Sequence, residues 1–201
     1  MNITIGIMSH EPGELLERCL KSLIDIDAGV PYELKLQLTP GTNPENWNRL
    51  FAKCNGDLVC MLEDDTAALR PMWLKSLVDT MLRFPDCGLV MPVETKDGIR
   101  PDPGFVPWLN KTSQVIQTFG FCNLIRKGID LKADENLTYF VDIDLAYQIQ
   151  QANWKCYCNG HVQMLHGATQ GRLSNASDII EKQREDREYL AKKWSLQDAQ
   201  A

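Results

Sequence analysis

The sequence predicts an α/β fold, a three-layer sandwich of helices around a mostly parallel central sheet. Three observations predict it. Short apolar runs alternate with segments of helical period from Asn2 to Val93, in the order β-α-β-α-β-α-β. The apolar runs are nearly continuous rather than alternating, as strands buried on both faces require. The runs also end abruptly at polar or acidic residues, the sharpest case being Leu58-Val59-Cys60-Met61-Leu62 followed by Glu63-Asp64-Asp65.

Asn2 to Met8 is the first strand, and Ser9-His10-Glu11-Pro12-Gly13 is a turn. A helix follows, with Leu15, Leu16, Cys19, Leu20 and Leu23 on one face and Glu14 in its first turn. Tyr32 to Leu38 is the second strand, ended by Thr39-Pro40-Gly41-Thr42-Asn43. A helix over Asn46 to Cys54 leads through Asn55-Gly56 to the strand that carries the acids. Pro71 opens the next helix, whose stripe is Trp73, Leu74, Leu77, Val78, Met81 and Leu82. Gly88 to Val93 is the fourth strand.

The pattern then changes. Glu94 to Ser113 holds Pro101, Pro103, Gly104 and Pro107 with Phe105 and Trp108, and reads as a long loop of the kind that is functional or mobile. Phe119 to Arg126 is a strand, and Phe140 to Leu145 leads into a helix that runs to about Ala152. Trp154–Tyr157 and Val162–Leu165 read as two short strands, the second ending at His166-Gly167. Ser177 is placed to cap a last helix over Asp178 to Trp194. This divides a single domain into residues 1–93, a smaller half over 94–170, and a C-terminal helix region over 171–201.

The 201-residue chain has 44% hydrophobic and 24% charged residues, as an ordinary globular protein does. Its net charge of -6 disfavours an extended nucleic-acid surface, which is normally basic. No apolar run approaches the roughly 20 residues that span a bilayer, and no signal peptide is visible. The seven cysteines form no CxxC pair or zinc-ligand spacing, so they are expected to be reduced core residues of a cytoplasmic protein.

Ligands of parallel sheets bind beyond the carboxyl ends of the strands. Ser9, Thr39 and the Glu63-Asp64-Asp65 run all fall there. Adjacent carboxylates repel one another, and a divalent cation among them relieves that repulsion. An acidic surface turn is the alternative. A second acidic cluster, Asp142 and Asp144, and the late His166 favour the cation.

Taken in order, these pieces resemble the family 2 glycosyltransferases over about residues 2–168. That resemblance implies a GT-A-type, Rossmann-like fold with a nucleotide-sugar half and a smaller acceptor-side region. Ile5 to Leu23 resembles the family's first strand and helix, with Ser9 in place of a nucleotide-contacting Thr. Asn48 and Gly56 keep the spacing of an Asn and a small residue before the metal strand. Glu63-Asp64-Asp65 matches the DxD-type motif, and Pro71-Met72-Trp73-Leu74 the proline-aromatic helix start after it. Val141-Asp142-Ile143-Asp144-Leu145 resembles the Glu-Asp-x-Asp-Leu segment, which puts Asp142 on the catalytic base. His166-Gly167 resembles the late His-Gly whose histidine completes the metal site.

The resemblance implies a metal-dependent, inverting transfer from a nucleotide-diphosphate sugar, a UDP-sugar first, to a hydroxyl acceptor. Mn2+ or Mg2+ would be held by Asp65, by Glu63 directly or through water, and by His166, with manganese favoured by the imidazole. Ser9, His10, Glu11, Thr39, Asn48 and Asp64 would contact the donor. Phe105, Trp108 and Trp154 are candidates for stacking on a sugar or aromatic acceptor, although aromatics more often form core. Arg126 and Lys127 could meet phosphate or be a solvated strand end.

The sequence departs from the family at four places. Thr39 stands where an Asp usually holds the base, Val141 where Glu is common, Gln148 where an Arg is expected and Asn153 where a Gly is. Polysaccharide precursors, protein side chains and hydroxylated nucleobases all stay open as acceptors. Two rival readings also stay open. A nucleotidyltransferase of similar fold is disfavoured because Ser9 to Gly13 holds one Gly and no Lys or Arg. The other rival is a non-catalytic sugar-nucleotide-binding protein.

Overall fold

A computed structural model describes residues 1–10, 12–96, 98, 101–167 and 176–195 of the chain. The elements are β1 (Ile3–Met8), α1 (Glu14–Asp25), β2 (Glu33–Gln37), α2 (Asn43–Lys53), β3 (Leu58–Glu63) and β4 (Ala67–Ala68). Then follow α3 (Trp73–Arg83), β5 (Cys87–Thr95), a 3-10 turn (Pro103–Trp108), β6 (Thr112–Val115), β7 (Cys122–Arg126), α4 (Val141–Gln151), β8 (Lys155–Leu165) and α5 (Ala176–Lys193).

Among the described residues the strands form one eight-stranded sheet, ordered β2-β1-β3-β7-β5-β8-β4, with β6 also on β8. Strands β2, β1, β3, β5 and β8 run the same way, while β7, β4 and β6 run against them. Every residue of β1 and β5 is buried, so both sheet faces must be covered, and helices do so. The α/β sandwich with a mostly parallel sheet is therefore as expected.

Its second half differs from a plain parallel succession. Strand β7 inserts antiparallel between β3 and β5, which precede it in the chain and are separated there only by the two-residue β4 and α3. The pairs Met61↔Asn123 and Val90↔Leu124 show how apolar residues on both sides of β7 tie it in. The two short strands expected at Trp154–Tyr157 and Val162–Leu165 are one strand, β8. Its register with β5 slips between Pro92↔Asn159 and Val93↔Gln163. The slip occurs at Gly160, where a Cβ would meet the Trp108 carbonyl oxygen at 1.7 Å, so only glycine lets the 3-10 turn lie against the strand.

Local features differ from the expected ones. Helix α2 starts at Asn43, not Asn46, because Thr42 and Glu45 form a reciprocal capping box with Pro44 in the first turn. The long loop from Glu94 to Ser113 is partly ordered by the 3-10 turn, with Asp102 accepting from the Gly104 N–H. Helix α5 begins at Ala176, so residue 177 lies inside it rather than capping it.

Candidate functional site

The carboxyl ends of β1 and β3 lie side by side, since Met8 pairs with Glu63. A tight turn follows β3. The Thr66 N–H donates to the Glu63 carbonyl (3.1 Å), and the Thr66 hydroxyl donates to the Phe121 carbonyl (3.0 Å). Arg18 of α1 donates to the Asp65 carbonyl at 3.0 Å. This packing turns the acids toward one cleft. Asp64 is buried and accepts from the buried Ser9 hydroxyl at 2.5 Å.

His166 reaches the same turn because β4 returns against β8, pairing Ala67 with Leu165. Its Nε2 lies 3.2 Å from Glu63 Oε2 and 3.6 Å from Asp65 Oδ1, and its Nδ1 lies 3.2 Å from Glu94 Oε1. The ring stacks on Phe121, with centroids 5.0 Å apart. Burial opposes charge on His166, but the hydrogen bond it donates to Glu63, the Glu94 carboxylate beside Nδ1 and the field of Asp65 outweigh it and raise its pKa to about 10. Burial raises the Asp65 carboxyl; His166 opposes that shift, and Glu63 and Asp64 reinforce it.

One ligand atom from each of Glu63, Asp65 and His166 lies within 4.8 Å of the others. Asp65 Oδ1 is buried with no hydrogen-bond donor, an orphaned acceptor of the kind that a cation satisfies. Two hard oxygens and an imidazole backed by a carboxylate suit a manganese-like ion. The residues present therefore fit a divalent cation.

Asp142 lies in the first turn of α4, across Gly120 from Glu63. A Cβ at Gly120 would stand 3.1 Å from Glu63 Oε1 and 4.0 Å from Asp142 Oδ2, so the bare backbone keeps the two carboxylates in one opening. Burial pushes the Asp142 carboxyl up to about 7; the Ile143 N–H opposes this and the Glu63 charge adds to it. Met8, Asn43, Trp47, Asn123 and Tyr139 complete the wall around Glu63 and Asp142, and His10 joins Asp64 and Asp65 at the adjoining end.

The structure thus brings together Ser9, His10, Glu63, Asp64, Asp65, Asp142 and His166. Glu11 lies outside the described residues. Thr39 is exposed past the end of β2, where its hydroxyl accepts from Gln37. Asn48 is turned to another task. Its amide exchanges hydrogen bonds with Ala133 (3.0 and 2.8 Å), tying α2 to the loop before α4. Asn43, in the same helix, lines the cleft instead. The Thr42–Glu45 capping box and Pro44 were the signal that the helix begins there.

Glu94, Asn123 and Tyr139 were also missed. Glu94 had a signal, an acid directly after an apolar run, as at Glu63. Arg126 and Lys127 are not in the cleft: Arg126 donates to the Met81 and Cys87 carbonyls beyond α3, and Lys127 to the Phe51 carbonyl near the end of α2. Trp154 packs over the Arg126 guanidinium, and Phe105 is core.

The departures acquire physical meaning. Asn153 has φ 62°, the left-handed conformation that glycine accepts freely and asparagine tolerates. Gln148 donates to Asp144 (2.7 Å) and to the Lys132 carbonyl (2.8 Å). The positive charge beside the buried Asp144 comes instead from Lys193 at 2.7 Å, with Trp194 donating at 2.8 Å.

No protein-family model matches the sequence, and no curated protein does. Solved structures match its fold. The TarS 1-349 fragment from S. aureus, in complex with UDP-GlcNAc, superposes with a TM-score of 0.71 at 13% identity, covering 95% of this chain and 67% of that one. GalNAc-T7 with UDP, GalNAc and Mn2+ gives 0.62 at 11% identity, covering 94% of this chain and 49% of that one. The chain thus spans about half the length of GalNAc-T7. At these identities the likeness is one of architecture, and the architecture is the GT-A-type glycosyltransferase fold.

Proposed function

We propose that this chain is a metal-dependent, inverting glycosyltransferase that takes its sugar from a nucleotide-diphosphate donor, UDP-sugars foremost. One observation carries the reading. Glu63 belongs both to the Glu63–Asp65–His166 cluster and to the cleft lined by Asp142, whose carboxyl burial pushes up to about 7, at the carboxyl edge of the sheet. The GT-A neighbours crystallised with UDP, UDP-GlcNAc or UDP and Mn2+ support the donor class.

Glu63, Asp65 and His166 would hold Mn2+ or Mg2+, which neutralises the diphosphate as it leaves. Glu94 orients the His166 ring through Nδ1. Ser9, His10, Asn43 and Asp64 line the side where the nucleotide would lie. Asp142 accepts the proton of the acceptor hydroxyl while that oxygen bonds to the anomeric carbon and the sugar–phosphate bond breaks. A base with a pKa near 7 is matched to that task at neutral pH. Attack opposite the leaving group inverts the anomeric centre, as in single-displacement glycoside chemistry.

The test is a thermal-shift panel of UDP-, GDP-, CDP- and dTDP-sugars with and without Mn2+, on wild type and Asp65→Ala. A ligand of the folded state stabilises it by about 2.7 kcal/mol at a hundredfold excess over Kd. A shift that needs both Mn2+ and Asp65 supports the donor site, and no shift with any donor overturns it. Metal-dependent donor hydrolysis lost in Asp142→Asn separates a transferase from a non-catalytic binder.

A further inference from the structure

A second, separately lined groove of about 500 Å³, within the range of small-molecule sites, lies one residue along the chain from the cleft, since Phe119 lines the groove and Gly120 the cleft. Its walls include Trp108 from the 3-10 turn, Gln114, Ile116, Gln117 and Phe119 from β6 and the segment after it, and Tyr147 from α4. Two links join it to the cleft. The Thr118 hydroxyl donates to the Asp142 carbonyl at 3.1 Å, and Phe119 precedes the Gly120 that separates Asp142 from Glu63.

The groove is held in shape before any ligand arrives. Gln150 of α4 donates to the Ile116 carbonyl at 2.8 Å, and Asn123 donates to the Phe119 carbonyl at 2.9 Å. Phe105 lies 5.6 Å from Trp108 and 4.7 Å from Phe119, centroid to centroid, and fixes both rings from behind. Yet Ile116 is 65% and Phe119 39% exposed, an apolar surface left uncovered beside a candidate reaction centre.

Its chemistry is selective. No lining residue carries a charge. A phosphate-bearing polymer would need Lys or Arg to replace its counterions, and the chain's net charge of -6 adds repulsion. An uncharged pyranose has what the groove lacks. Its C–H face packs on aromatic rings, and its hydroxyls pair with the amides of Gln114 and Gln117. We infer that this groove is the acceptor subsite and that it takes an uncharged saccharide, with Trp108, Phe119 and Tyr147 as its stacking surfaces. The inference rests on the transferase reading for the word acceptor, but the saccharide site itself can be tested without a donor.

The experiment is a tryptophan-fluorescence titration of the full chain with short uncharged oligosaccharides of glucose and of N-acetylglucosamine. Sulfated oligosaccharides and an oligonucleotide carrying hydroxymethylated pyrimidines serve as polyanion arms. An uncharged sugar should shift the emission, reported by Trp108 and by Trp194 stacked on Tyr147, and Trp108→Phe and Tyr147→Ala should each weaken binding about tenfold, the effect of losing one buried anchor. Ile116→Ser, at an exposed position, gives a variant with little risk to folding and should also weaken binding. No shift with any uncharged sugar, an affinity unchanged by both Trp108→Phe and Tyr147→Ala, or tighter binding of either polyanion would overturn the inference. Donor hydrolysis measured on the same preparations keeps the two readings apart. Hydrolysis without saccharide binding rejects the groove alone, whereas saccharide binding without a donor response rejects the transferase.

Discussion

The cleft and the groove are lined by consecutive residues, Gly120 and Phe119, but are built from opposite materials. Glu63, Asp64, Asp65, Glu94 and Asp142 load the cleft with carboxylates, whereas the groove beside it has rings and amides and no charge. Carboxylates this close are unfavourable without a counter-charge, and His166 with its raised pKa supplies one. The cleft is therefore tuned by electrostatics and should respond to metal and pH. The groove is tuned by shape and should respond to packing. Substitutions that move one and spare the other can break that division.

The largest effect is expected in the cleft. Asp142→Asn keeps the shape of the side chain and removes the base, so transfer should fall about 10²- to 10⁴-fold, the usual range for general-base loss. In wild type, kcat should rise with pH through about 7 and level off above it, because the base must be ionised. The stability sign is opposite. The folded state holds this proton more tightly than the unfolded chain, whose carboxyl titrates near the ordinary 3.8. Stability from this group is thus present at low pH and lost as pH rises toward 7. Melting temperatures of wild type and Asp142→Asn should diverge in favour of the variant from pH 4 to pH 8. A constant difference would mean that Asp142 is not held near neutrality.

Glu94→Gln is the next test. Removing the charge behind a metal-binding imidazole commonly lowers metal affinity 10- to 100-fold. Calorimetric titration with Mn2+ should show a loss of that order, with saccharide binding in the groove unaffected. If affinity is unchanged, His166 is not the ligand that Glu94 orients.

Gly160→Ala moves to the groove side. The added Cβ would stand 1.7 Å from a backbone oxygen, which cannot rotate away, so the 3-10 turn must shift. Overpacking of this kind costs about 1–3 kcal/mol, readable as a lower midpoint in urea unfolding. Trp108 moves with that turn, so saccharide binding should weaken more than the Mn2+ response of the cleft. Equal loss of both would show that the two regions are mechanically one.

How much was legible follows the same division. From Ile3 to Glu63, strand and helix alternate locally, each element announces its own period, and the acids stand where a strand must end. The positions of the candidate residues Ser9, Asp64 and Asp65 at the strand ends are legible for that reason. The groove depends on β6 pairing with β8 and on α4 holding the segment after β6, contacts between residues far apart in the chain. No local period encodes it. Trp108 was noticed as an aromatic in a proline-rich loop, but Phe119 and Tyr147 were not, since nothing in their neighbourhoods says they meet. Asn48 misled for a related reason. Motif spacing placed it, whereas the polar groups of the 133–135 loop, over eighty residues away, claimed its amide.

Asn153 offers the smallest and most discriminating check on reading departures as losses. It stands where the family resemblance leads one to expect a glycine. Its φ of 62° shows that the backbone shape a glycine would give is kept. Asn153→Gly should then change stability by less than about 1 kcal/mol, since asparagine tolerates this region and glycine gains only a little strain relief against greater unfolded-state entropy. Asn153→Val should cost more, because a β-branched residue at positive φ is a true outlier. Matching urea midpoints for wild type and Asn153→Gly, with a clear drop for valine, would show that the turn from α4 into β8 demands a conformation rather than a residue. A large gain from glycine would instead mean that asparagine is strained there, and that the departure does burden the helix carrying Asp142.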